Sequence, residues 1–257
     1  MRPKKALGQH FLHREDIAEQ IADALIQTDA YEQVLEIGPG KGVLTKYLIE
    51  KPQNLTAVEL DRDMVMYLME HYPMLNVINK NFLKMDLSST MTKQFGLIGN
   101  FPYNISSQIL FKMVEHRELI PEMVGMFQKE VAERVVAPEG NKVYGVISVL
   151  IQAYYKGEYL FTVDKGAFNP PPKVQSAVIR LTRKPLDQVD FDYSLLKQVV
   201  KTSFGQRRKM MRNTLKPFFK GEYEGILKEE FFKQRPERLS VNDFITLTRR
   251  IASQQNN

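Results

Sequence analysis

A chain of 257 residues, 43% of them hydrophobic and 26% charged, is long enough for one large domain or a medium domain with a small companion, and lies inside the folded range. Zero cysteines and four scattered histidines (His10, His13, His71, His116) exclude disulfides, thiolate zinc sites, iron–sulfur clusters and a cysteine nucleophile, and argue against a histidine metal site. No apolar run approaches the roughly 18 residues of a membrane span, and a net charge of +6 fits an anionic partner without requiring one, so a soluble cytoplasmic protein using an organic cofactor or a bare protein site is expected.

Short β-type runs alternate with helical patterns through the first two thirds, the pattern of an α/β fold with a mostly parallel sheet covered by helices. Strands are predicted at Val34–Ile37, Leu55–Glu59, Asn76–Ile78 and Gly96–Gly99, with others near Met123–Phe127, Tyr159–Val163 and Val174–Leu181. Helices are predicted at about Arg14–Ile26, Val43–Ile49, Arg62–Glu70, Ser106–His116, Gln128–Val136 and Tyr144–Tyr154. Met64, Val65, Leu68 and Met69 read as the core face of one of these helices. The stretch Thr182–Asp187 reads as a linker, after which helical periodicity continues without strand runs. The expected division is therefore residues 1–184 as an α/β domain and 185–257 as a small all-helical one, ending in a polar tail, Gln254–Asn257, expected to fray.

Glu36-Ile37-Gly38-Pro39-Gly40-Lys41-Gly42 closes the first of these strands and leads into a helix. Glycines there allow a sharp turn and the approach of a ligand where a Cβ would collide. The spacing is neither that of a phosphate-binding GxxxxGK[ST] loop nor GxGxxG, and a plain strand-to-helix turn would read the same way. Glu59 closes the second strand 19 residues after Gly40, where open α/β folds place a carboxylate for ribose hydroxyls. Adenosine is implied, and NAD and S-adenosylmethionine (SAM) both contain it.

Asn100-Phe101-Pro102-Tyr103, directly after the strand Gly96–Gly99, separates the two. The lone pair of adenine N6 is delocalised into the ring, so methylation needs acceptors that hold the amino group and favour a pyramidal nitrogen. The Asn100 side-chain oxygen and the backbone carbonyl of Phe101 or Pro102 are such acceptors, with Pro102 stiffening the turn. Tyr103 offers a face to a base swung out of its stack.

With these motifs in order, the sequence resembles the ribosomal RNA adenine N6,N6-dimethyltransferases of the KsgA type, within the Rossmann-like SAM-dependent class. The likeness spans nearly the whole chain, from Leu7-Gly8-Gln9-His10-Phe11-Leu12 through the motifs above to Phe168-Asn169-Pro170-Pro171-Pro172-Lys173-Val174-Gln175-Ser176-Ala177-Val178 and Phe204-Gly205-Gln206-Arg207-Arg208-Lys209. The resemblance implies that Gln9, His10 and Leu12 close over SAM, that Gly38 and Gly40 border its methionine end, and that Glu59 binds its ribose. It implies further that Asn100 binds substrate and cofactor and that Tyr103 and Phe168 sandwich the target adenine. Pro170–Pro172 reads as a stiff loop before a strand, a stiffness that would also fix Phe168 over the pocket. Two positions depart from the family: His10 stands where many relatives have Asn, and Asn81 where an Asp accepts from the adenine amino group of the cofactor. Weaker but surviving SAM affinity is expected from Asn81.

Of the charge, 14 Lys+Arg against 9 Asp+Glu fall in residues 186–257, a net +5 that leaves +1 for the rest. No acidic residue lies between Asp192 and Glu222, while Lys197, Lys201, Arg207, Arg208, Lys209, Arg212, Lys216 and Lys220 are basic. Leu195, Leu196, Val199, Val200, Phe204, Met211 and Leu215 keep helical spacing beneath them, so two short helices joined near Gly205 would present a cationic strip to phosphates. Lys201, Arg207, Arg208, Lys209 and Arg212 are the expected RNA contacts. The resemblance implies that the substrate is two adjacent adenosines near the 3′ end of small-subunit rRNA in a 30S particle. No DNA or membrane partner is expected, and the sequence shows no coiled-coil pattern or large exposed apolar stripe, so a monomer is expected. The related large-subunit methyltransferases of macrolide resistance share the SAM motifs, but the Leu7–Leu12 and Phe204–Lys209 stretches favour the small-subunit type. A non-catalytic RNA-binding assembly factor is the rival from another class.

Overall fold

The computed structural model describes residues 4, 8–219 and 224–255. Leu7, Lys220, Glu222 and Asn256–Asn257, along with most of the Met1–Lys5 stretch, lie outside the described residues. In chain order the elements are β1 (Phe11–Leu12), α1 (Glu15–Asp23), β2 (Gln33–Ile37), α2 (Thr45–Leu48), β3 (Asn54–Glu59), α3 (Arg62–His71), β4 (Asn76–Asn79), α4 (Leu87–Thr90) and β5 (Phe95–Asn100). They continue with α5 (Ser106–Glu115), β6 (Glu122–Gln128), α6 (Lys129–Val136), α7 (Val146–Gln152), β7 (Tyr155–Val163), β8 (Phe168–Asn169) and β9 (Ser176–Arg183), and end with α8 (Tyr193–Gly205), α9 (Met211–Thr214), α10 (Glu224–Leu227) and α11 (Val241–Gln255).

Seven strands form one sheet in the order β4-β3-β2-β5-β6-β9-β7. The pairings from β4 to β6 are parallel, and β9 runs antiparallel to β6 with Met126 opposite Val178. Covered on both faces, β5 and β6 are buried along almost their whole length and carry no polar alternation. This is the expected Rossmann-like α/β domain. On α3 the buried stripe is narrower than predicted: Met64 and Leu68 face the core, Val65 is half-buried, and Met69, in the last turn, is 61% exposed. Asp61 caps that helix by accepting from Asp63 N–H at 3.1 Å.

Contacts group the chain into two compact units, one of residues 1–132 and 156–183, the other of 133–155 and 184–257. The grouping differs from the division at 184/185 by Lys184, which falls in the second unit, and by the segment Glu133–Tyr155, whose helix α7 packs on α8 and α11. Periodicity marks α7 as amphipathic but does not name the surface that covers it. The second unit is helical, with Tyr144, Val149, Leu196, Val199, Val200, Phe244 and Leu247 in its core. The Phe204 ring lies 5.9 Å from that of Tyr144 and 5.8 Å from that of Phe244. Ser240 and Asp243 begin α11 with a reciprocal cap, each accepting from the other's N–H.

Candidate active site

The strand order reverses at β2, which has β3 on one side and β5 on the other, so the loops leaving β2 and β5 diverge and open a crevice at their carboxyl ends. A cavity of about 530 Å³ lies there. Gly38 and Gly40 line it at φ 65° and 57°, a region that other L residues adopt at a cost, and a Cβ on Gly40 would come within 3.1 Å of the Phe11 ring. Gly40 N–H donates to Glu59 Oε2 at 3.1 Å, and Asp61 N–H to Glu59 Oε1 at 2.9 Å. Burial raises the Glu59 carboxyl above its ordinary range against the opposing pull of these backbone donors. Glu36, also on the cavity wall, is buried; Thr45 Oγ1 donates to its Oε2 at 2.6 Å, and its Oε1 has no partner among the described residues. Its burial pushes the carboxyl up to about 8.

On the β5 side the Asn100–Tyr103 loop is anchored by Phe101, whose buried ring occupies space left by Gly99 and Gly125; a Cβ on Gly125 would sit 2.2 Å from Phe101 Cε2. Phe101 N–H donates to the Met126 carbonyl at 3.2 Å and Ile105 N–H to that of Pro102 at 3.2 Å, so of the two expected acceptor carbonyls that of Pro102 is engaged within the turn. Asn100 Nδ2 donates to the His10 carbonyl at 3.2 Å, an orientation that leaves Oδ1 as acceptor. The Tyr103 hydroxyl is held by Ser176 Oγ at 2.5 Å, and burial raises its pKa, so it stays protonated and offers a ring face rather than a base.

The N-terminal arm forms the third wall. Gln9, His10 and Leu12 line the cavity, with Gln9 Nε2 donating to Asp61 Oδ2 at 2.9 Å. The His10 ring stacks on Tyr103 at 5.5 Å between centroids and 25° between planes, and its Nδ1 lies 2.8 Å from the Pro170 carbonyl. A carbonyl only accepts, so Nδ1 carries the proton. Pairing of β1 with β8 sets Leu12 opposite Phe168, and this corrects one expectation: Phe168 is 3% exposed, packs in the hydrophobic core, and is not on the cavity wall. Successive strand residues point to opposite faces, so on β8 it is Asn169 that lines the cavity. The fourth wall is Asn81, Phe82 and Leu83; Asn81 Oδ1 accepts from Leu83 N–H at 2.9 Å.

The residues fit SAM. The glycine loop leaves room for a ligand chain, Glu36 and Glu59 place buried carboxyl groups on the cavity wall, and Asn81 to Leu83 line the same cavity. Sequence reasoning assigned no role to Glu36, Phe11 or Lys112; Glu36 stood within the quoted motif, and Lys112 was visible only as a lysine in the apolar helix run Ile109–Val114. Among the described residues no three His, Asp or Glu side chains group to hold a metal ion.

In the helical unit, α8 runs to Gly205 and α9 follows from Met211. Leu196, Val199, Val200, Met211 and Leu215 are buried beneath the basic residues, while Leu195 and Phe204 are half-buried. Lys201, Arg208, Lys209 and Lys216 are exposed, and Arg212 is half-buried. Arg207 is partly committed within the unit, 4.0 Å from Glu237 and donating to the Asn141 carbonyl at 3.4 Å.

The family model described as ribosomal RNA adenine dimethylase matches residues 1–252. The chain belongs to the ribosomal RNA adenine dimethylase family. This dimethylase is 52% identical over 254 residues to "Ribosomal RNA small subunit methyltransferase A" of Bacteroides thetaiotaomicron, covering 98% of this chain and 94% of that one. It is 51% identical over 255 residues to the protein of the same name from Flavobacterium johnsoniae, covering 98% and 96%. Among solved structures, a dimethyladenosine transferase from Plasmodium falciparum superposes with a TM-score of 0.83 at 25% identity, covering 96% of this chain and 98% of that one. The 23S rRNA methyltransferase ErmE superposes at 0.67 and 22% identity, covering 93% and 99%, a likeness of fold. The chain is thus an RNA-methylating enzyme of the SAM-dependent class.

Proposed function

We propose that this dimethylase places two methyl groups on N6 of each of two adjacent adenosines in the hairpin loop near the 3′ end of small-subunit rRNA. It would act in the cytoplasm as a monomer on an assembling small-subunit particle. The observation that carries the chemistry is the acceptor pair at the end of β5, beside the Tyr103 ring: Asn100 Oδ1, turned away from the His10 carbonyl by the Asn100 amide, and the Phe101 carbonyl, which follows it in the same loop. SAM, when bound, supplies an electrophilic methyl on a sulfonium.

The protein's own work is to hold, orient and exclude. Gly38 and Gly40 let the loop after β2 approach the methionine end, Glu59 receives the ribose hydroxyls, and Glu36 offers a buried oxygen that no described residue pairs with. Gln9, His10 and Leu12 cover the cavity, and Asn81 with Phe82 and Leu83 bounds its adenine end. Tyr103 stacks on the extruded target base. Two acceptors on the N6 hydrogens draw its lone pair out of conjugation, and no strong base is needed because the proton leaves after the amine has become cationic. With Phe168 turned into the core, the ring stacked on Tyr103 is that of His10. Lys201, Arg208, Lys209 and Arg212, with Arg207 less available, would bind phosphates without reading sequence, which suits recognition of an RNA loop by shape and exposed bases.

The small-subunit name of relatives at 52% identity favours this substrate over large-subunit RNA. The intact acceptor pair disfavours a binding-only role. The test is transfer of labelled methyl from SAM to undermethylated small subunits. Wild type is expected to label them and not large-subunit RNA, and Asn100→Ala to lose at least about a hundredfold in kcat. Failure of wild type to label small subunits overturns the reading.

A further inference from the structure

We propose that Lys112 positions the adenine end of the cofactor pocket, by holding the carbonyls of the Phe82–Met85 turn and so fixing Asn81, Phe82 and Leu83 at the cavity wall. This rests on reading the cavity as the SAM site.

Lys112 lies on α5 among the buried Ile109, Leu110, Met113 and Val114 and is itself only 9% exposed. Its Nζ donates to the Phe82 carbonyl at 2.8 Å, to that of Leu83 at 3.2 Å and to that of Met85. An ammonium has three N–H donors, and these carbonyls use all of them. The Phe82 ring lies 5.2 Å from the same nitrogen. Burying a charge is costly unless it is well satisfied, and a side chain needed only to fill this helix face would serve better as methionine. Here burial lowers the Lys112 pKa, the mark of a cation held where water would otherwise be preferred.

The gain from the charge is geometric. Three carbonyls drawn to one point face α5, so the turn presents its other side to the cavity, where Asn81, Phe82 and Leu83 line the wall. The Asn81 amide follows, because its Oδ1 accepts from Leu83 N–H in the same turn. Helix α5 starts at Ser106, directly after the turn that carries Tyr103, so one rigid element joins the Asn100–Tyr103 loop at its start to the adenine-side loop about two turns on.

The probes are S-adenosylhomocysteine and S-inosylhomocysteine, which differ at the purine 6-position, amino against oxo. In Lys112→Met, calorimetric binding of the first is expected to weaken about tenfold or more and of the second by less than about threefold, so that discrimination collapses. The KM for SAM rises, while kcat at saturating SAM stays within about twofold. Because the chain has no cysteine, Lys112→Cys can be alkylated at that one position with bromoethylamine, which restores an ammonium and is expected to restore discrimination. A residue that merely stabilised the fold would weaken both ligands alike. Equal weakening, or undiminished discrimination in Lys112→Met, overturns the proposal. Should that variant not fold, Lys112→Gln, which keeps two donors, is expected to discriminate less than wild type; wild-type discrimination there overturns it. Wild type that binds neither probe overturns the cofactor reading and this one with it, whereas a failure confined to the variants overturns Lys112 alone.

Discussion

Glu36 carries a stability consequence apart from any ligand. Its carboxyl is raised to about 8 by burial, against a value of 4.5 when exposed. The folded state therefore holds a proton that the unfolded chain has lost across that window, and the associated stability is present below pH 4.5 and drains away as pH rises through about 8. Glu36→Gln keeps the acceptor for Thr45 and has no such proton. In thermal melts without cofactor, wild type is expected to lose stability relative to Glu36→Gln between about pH 6 and 9; parallel curves would show that Glu36 is ionised throughout. At the adenine end, Asn81 Oδ1 already accepts from Leu83 N–H, so only its second, uncharged lone pair is left for the amino group of the cofactor, and its amide nitrogen cannot accept. Asn81→Asp keeps that bond and adds an acceptor oxygen, so SAM binding is expected to tighten by about threefold to tenfold, read by calorimetry; equal or weaker binding counts against the assignment. His10 and Asn81 were visible as departures from the family, but the burial of Phe168 was not. A phenylalanine before three prolines reads the same whether it faces a pocket or a core, and only the pairing of β1 with β8 decides.

The β5 and β6 strands show how one element makes room for another's function. Gly125 is the space into which Phe101 fits, and Phe101 fixes the loop bearing Asn100 and Tyr103. Gly125→Ala places a methyl 2.2 Å from that ring, so the ring must move. Overpacking of this kind costs about 1–3 kcal/mol, and the displaced loop is expected to lower kcat by at least about tenfold with SAM affinity little changed; an unaltered kcat in a folded variant would show that the loop does not depend on this seat. The strands themselves were legible because both-face burial leaves uninterrupted apolar runs, and the motifs fell at their ends as expected. What was not legible is which glycine serves which neighbour, since Gly125 and Phe101 meet only across the sheet. The same holds for Lys112, whose three acceptors come from a turn nearly thirty residues earlier.

At the scale of the molecule, the basic excess of the last 72 residues belongs to a helical unit whose buried faces match the spacing read from sequence. Because Arg207 shares its charge with Glu237, the exposed pair Arg208 and Lys209 is the sharper probe. Arg208→Glu with Lys209→Glu is expected to weaken rRNA binding and to reduce the slope of log affinity against log salt by about 1.5, with SAM affinity intact. An unchanged slope would place the RNA elsewhere. The division of the chain was less legible than its elements. Residues 133–155 carry helical periodicity like any stretch of the α/β unit, and nothing local shows that α7 finds its cover on α8 and α11, which begin about forty and about ninety residues after α7 ends.

That grouping ties the two units together by covalent order. The sheet takes β7 and β9 from residues that follow a piece of the helical unit, and the helical unit is completed only by chain that follows the sheet. No single cut releases either one whole. A chain ended after Lys184 would keep α7 with Val149, Leu150 and Ile151 but lose the helices α8 and α11 that pack on it. The binding and methylating functions proposed for the two units would in that case evolve, and be lost, as one gene segment rather than as exchangeable modules.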